Sequence, residues 1–187
     1  MEDLVKNQGV IARPLPDEPP GEEPSAEQQR EAEAFGRQVN FGIERAERLP
    51  GNVGYLEIRS FGFSARQADA AVAAAMNLLG HTDALIIDVR RNGGGDPDMV
   101  ALVCSYLLGP GEILINRFYW RPQDRWDEFR TRATVSGRHY GSAKPVFVLT
   151  SDRTFSGAEE FEYDLQTQQR SQIVGDTTGG GAHPGGM

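Results

Sequence analysis

The run ALIIDV at residues 84–89, followed at once by RRNGGGDP, constrains the fold more than any other stretch of this sequence. Short unbroken apolar runs suit strands buried on both faces, as in parallel sheets. The three glycines behind it permit backbone turns closed to other residues and let backbone N–H groups face a ligand. A helical pattern, DMVALVCSYLL, comes next. PVFVLT at 145–150 repeats the arrangement and leads through SDRTFSGAEEF into another helix, and SQIVGD at 171–176 reads as a third short strand. Upstream, GNVGYLEIRSF is strand-like, with Val53, Tyr55, Leu56 and Ile58 as its apolar members. Ser64 and Gln67 have capping-box spacing and open the alanine-rich helix ARQADAAVAAAMNLL, which Gly80 stops. Residues 109–135, rich in aromatics and arginines, read as strands with an irregular loop. Strand, glycine turn and helix in alternation make an α/β protein.

The rest of the chain frames that core. Residues 1–24 are rich in proline and acids and form an arm or linker. Residues 25–48 form a polar helix and a connection; Ser25 and Gln28 have capping-box spacing, and Phe35 and Val39 are its apolar pair. The packed core is expected over 49–187. The formal net charge of −8 and the lack of a basic run disfavour binding to nucleic acid and to anionic membranes; no nucleic acid partner is expected. Cys104 is the sole cysteine and lies in an apolar helical run, so it reads as a buried small hydrophobe, with no disulfide and no cysteine metal cluster. No apolar run approaches the roughly 20 residues of a membrane span. The start, MEDLVKNQGV, lacks a signal-peptide pattern, so the sequence as written reads as cytoplasmic.

Two places can carry chemistry, each straight after a buried strand, where α/β sheets bind ligands. The NGGG turn is either an oxyanion or phosphate cradle or simply a tight turn into a helix. It is no P-loop, because no lysine and hydroxyl residue follow the glycines. Ser156 stands at the start of a helix, as an ordinary N-cap or as a nucleophile. In the second case the Gly157 N–H points toward a developing oxyanion in the positive field of the helix end. Glu159 and Glu160 fall in the first helical turn, where the dipole favours acids. No cofactor and no metal are expected.

ALIIDVRRNGGGDP, PVFVLTSDRTFSGAEEF and IVGDTTGGGAHPGG, in that order, resemble the tail-specific, or C-terminal processing, serine peptidase family. The branch containing interphotoreceptor retinoid-binding protein and its bacterial relatives is the most similar. The resemblance runs from about Leu49 to the end. It implies a Clp-protease/crotonase-like α/β core of ββα units, with Ser156 as nucleophile. It also implies an oxyanion hole made by the Gly157 N–H and an N–H from Gly94 or Gly95. Family members continue past the glycine-rich loop, so the chain reads as C-terminally truncated; the exposed sheet edge this leaves invites pairing into a homo-oligomer.

The departures concern the general base. Lysine-using members place it about 25 residues after the serine; here that slot is Gly181. Three histidines remain. His183, two residues past the slot, is the candidate base, since a pKa near neutrality suits the role. His81 and His139 read as surface or loop residues. Arg90, Arg91 and Arg153 are the arginines nearest the two motifs. The expected function is a serine-type peptidase acting on peptide C-termini or unfolded chains. The alternative is a non-catalytic module holding a peptide or an apolar ligand, with a crotonase-like acyl-thioester enzyme third.

Overall fold

In the computed structural model, which describes residues 25–182, local capping decides where the first two helices start. Helix α1 (Ala26–Gln38) opens on a reciprocal box: Gln28 N–H donates to Ser25 Oγ at 3.2 Å, and Ser25 N–H donates to Gln28 Oε1 at 2.7 Å. Phe35 is not its anchor, being 58% exposed. The buried contact is Gly36, where a Cβ would lie 2.7 Å from the Phe41 ring and 3.2 Å from that of Phe63. Helix α2 (Ala65–Leu79) carries the Ser64–Gln67 box expected of it.

The sheet begins with a hairpin of β1 (Ile43–Leu49) and β2 (Val53–Ile58), paired antiparallel. It therefore reaches into the stretch that the sequence assigned to a polar connection. IERAERL gives no strand signal because β1 is an edge strand: Ile43 alone is buried, and its charged side chains guard the edge. After α2 come β3 (Ala84–Asp88) and α3 (Pro97–Leu108), then a separate hairpin of β4 (Leu114–Trp120) and β5 (Arg125–Arg130). The chain returns through β6 (Val146–Thr150), α4 (Gly157–Thr167) and β7 (Gln172–Gly175). The main sheet runs β1-β2-β3-β6-β7, and every pair after the first is parallel.

Register fixes which residues share a face, because neighbours in a strand point to opposite sides. Leu56, Ile58, Leu85, Ile87, Val146 and Val148 are buried in one core with Val72, Met76 and Leu79 of α2, Met99 and Leu102 of α3, and Phe161 and Leu165 of α4. Each such side chain contributes about 1.5–3 kcal/mol. The opposite face differs from expectation. Tyr55, Ile86, Phe147 and Leu149 are only half-buried and Val174 is 49% exposed, so among the described residues the parallel strands are covered on one side. Helix α3 is buried nearly all round, and Cys104 within it is fully buried; burial pushes its thiol pKa up, and Asp164 and Glu160 add to this. Among the described residues no helix is long and apolar enough to cross a membrane.

Candidate active site

The carboxyl ends of adjacent parallel strands β3 and β6 bring the two motifs together. Leu85 through Asp88 register against Val146 through Leu149, so the loop after Asp88 and the loop after Thr150 leave the sheet side by side. Asn92, fully buried, ties them. Its Nδ2 donates to Ile58 O at 3.1 Å, its Oδ1 accepts from Gly94 N–H at 2.8 Å, and its carbonyl accepts from Phe155 N–H at 3.1 Å. Buried Thr154 adds a second tie, its hydroxyl donating to Val89 O at 2.9 Å.

Close approach explains the glycines. Gly94 has φ +98°, and a Cβ there would lie 2.6 Å from Gly157 N and 2.7 Å from Ser156 Cβ. Gly95 has φ +144°, and a Cβ there would sit 2.1 Å from Phe61 C. The turn is thus wedged between the Ser156 corner and the backbone at Phe61.

Ser156 itself has φ +53° and ψ −123°, a region that non-glycine residues rarely occupy. Such a backbone costs about 1–3 kcal/mol and persists only where its surroundings impose it. An ordinary N-cap serine is extended, so the backbone here is not that of an ordinary cap. Its N–H donates to Glu159 Oε2 at 2.7 Å, and its carbonyl accepts from the N–H groups of Glu159 and Glu160.

The two expected turn donors are not equivalent. The Gly94 N–H is committed to Asn92 Oδ1, which corrects the expectation that either glycine could serve. Among the described residues nothing accepts from the Gly95 N–H or the Gly157 N–H. These groups are neighbours: a Cβ on Gly157 would be 3.1 Å from Gly95 N. Gly157 also opens α4, whose amino end is positive.

Glu159 was expected to do no more than serve the helix end. Its carboxylate, in a residue 4% exposed, accepts from Gly180 N–H at 2.6 Å and Gly181 N–H at 2.8 Å as well as from Ser156. Burial would raise its pKa. The Thr178 hydroxyl and the N–H groups of Gly181, Gly180 and Ser156 outweigh burial and hold it below the ordinary carboxylate value.

Gly181, the lysine slot, is buried beneath Phe155: a Cβ there would lie 2.0 Å from Phe155 Cζ, so any larger residue must displace the ring. His183 lies outside the described residues. His81 stands before the amino end of β3, with both ring nitrogens near Arg138, at the opposite end of the sheet from Ser156. His139 contacts Ser105 O at 3.0 Å, against the carboxyl half of α3 and away from the glycine turn.

Two of the three arginines are engaged elsewhere. Arg90 grips Asp88 through Nε and Nη2, and Arg91 pairs with Glu57. With Arg153 they line a charged cavity of about 520 Å³. Within it the Tyr55 hydroxyl is pushed up to about 12, by burial first and then by its bond to Asp88. Among the described residues no three His, Cys, Asp or Glu side chains converge as metal ligands would.

The sequence model of peptidase family S41 matches residues 52–183, which span both motifs. The chain belongs to peptidase family S41. Solved structures agree in fold. A putative peptidase from Parabacteroides merdae is 24% identical over 78% of this chain and 49% of its own, with a TM-score of 0.57. A putative S41 protease from Bacteroides fragilis is 23% identical over 75% and 40%, with a TM-score of 0.59. A photosystem II D1 C-terminal processing protease is 26% identical over 71% and 33%, with a TM-score of 0.54. This S41 chain therefore spans less than half the length of each. The match is to the S41 family as a whole and singles out no branch within it.

Proposed function

We propose that this S41 chain is a serine-type peptidase that works through an acyl-enzyme on Ser156. One observation carries the reading: a strained serine corner is packed against a glycine turn so that the Gly95 and Gly157 N–H groups stand adjacent and unclaimed among the described residues. Ser156 Oγ attacks the scissile carbonyl carbon, and the carbonyl electron pair moves to oxygen. The two N–H groups stabilise that oxyanion; one such donor is worth about 10²–10³ in rate. His183 is proposed to take the Oγ proton and return it to the leaving amine, releasing the first product. Water then attacks the ester and regenerates the serine. Protein C-termini or unfolded chains are the proposed substrates, supported by the C-terminal processing protease among the structural relatives.

The test is labelling with a fluorophosphonate, followed by peptide mapping. The expected result is an adduct on Ser156 that is lost in Ser156→Ala. A folded chain that never labels would turn the reading to a non-catalytic module that holds a peptide or apolar ligand.

A further inference from the structure

We propose that Glu159 is a positioning residue, a clasp that holds the loop of residues 178–181 against the nucleophile corner; this rests on the reading of Ser156 given above. A capping-box glutamate needs one donor, the N–H of its own N-cap residue. Glu159 has that donor in Ser156 and two more, Gly180 and Gly181, from 21 and 22 residues further along the chain. The Thr178 hydroxyl reaches the same carboxylate. A buried carboxylate is costly unless its lone pairs are met, and here donors from two separate segments meet them. The charge therefore stitches those segments together. One end of the stitch is the N–H of the residue whose backbone is strained. The other is the glycine loop that leads into His183, of which Gly181 is buried. Phe155 closes the same seam, its ring lying over Gly179 and Gly181. Only a group with two acceptor oxygens can complete this arrangement. The amide of glutamine would turn an N–H₂ toward one of the N–H donors.

The experiment compares the full chain with Glu159→Gln, Glu159→Ala and Thr178→Val, using two readouts. The first is hydrogen exchange at the Gly180 and Gly181 amides. The second is the kinetics of fluorophosphonate labelling, separated into labelled fraction, saturation constant and limiting rate constant. Loss of bonds to a charged acceptor predicts exchange at both amides faster by about 10-fold or more. Misplacement of the corner predicts a limiting rate lower by on the order of 10²-fold in the glutamate variants, with the labelled fraction and saturation constant nearly unchanged. Thr178→Val falls between, and keeps the test open should Glu159→Ala not fold. A purely structural residue would reduce the labelled fraction and leave the rate constant alone, and that result overturns the proposal. Unchanged exchange at both amides overturns it too. A wild-type chain that never labels refutes the nucleophile reading instead. Exchange then decides the clasp alone, upheld by faster exchange in the variants and overturned by none.

Discussion

Asp164 sets up a pH dependence whose sign and size follow from its surroundings. It is 2% exposed, on the face of α4 that packs toward α3, and its Oδ2 has no partner among the described residues. Glu160, one turn earlier, also has an unpartnered buried oxygen. Burial first, and the neighbouring Glu160 second, push the Asp164 carboxyl up to about 9. In the unfolded chain it titrates near 3.9. Below pH 4 both states carry the proton and the group is neutral toward stability. Between about pH 4 and pH 9 only the unfolded state ionises, so stability falls by about 1.4 kcal/mol per pH unit. At pH 7, roughly three units above the unfolded value, the penalty is on the order of 4 kcal/mol. Asp164→Asn keeps the shape and removes the titration. The variant should match the wild type near pH 3.5, exceed it increasingly toward pH 8, and be more stable by several kcal/mol at pH 7. Urea unfolding at half-unit pH steps measures this. Parallel stability curves for the two proteins, with a constant offset or none, would refute the argument.

Three further outcomes follow from the site. Ser156→Gly should raise stability by about 1 kcal/mol, since glycine meets no penalty at φ +53°, and abolish labelling; chemical denaturation reads the first and a fluorescent probe the second. Gly94→Ala drives a methyl against Gly157 N and Ser156 Cβ in a left-handed turn, so it should cost roughly 2 kcal/mol or more and slow labelling sharply. Phe155→Ala combined with Gly181→Lys clears the ring from the slot and supplies an amine. Labelling should then rise at least about 10-fold over Phe155→Ala alone, as befits a new general base.

Much of this architecture was legible because its signals are local. The Ser64–Gln67 box, the apolar runs of β3 and β6, and the glycines behind β3 each announce themselves within a few residues. What stayed hidden depends on partners far along the chain. Nothing near Asn92 reveals that it bonds Ile58, Gly94 and Phe155 at once, and the extra donors to Glu159 lie beyond the reach of any helical period. The choice between Gly94 and Gly95 turned on that same asparagine. Strand β1 was missed because its exposed positions read IERAERL as a polar connection. The apolar runs in turn suggested cover on both sides, because an aromatic or branched residue on an open face looks the same in sequence as one in the core.

The order of strands in the main sheet also sets a timetable. β1, β2, β3, β6 and β7 lie side by side in the order in which they leave the ribosome, so each new strand is laid on the edge left by the last. The glycine turn follows β3, whereas Ser156 arrives only after β6 has docked. A nascent chain therefore holds half of the corner for the time it takes to make some sixty more residues, 96 to 155, and that half does not contain Ser156. Any reactivity at Ser156 therefore waits on the joining of two finished parts, and a chain broken off before residue 156 lacks that serine however well it folds.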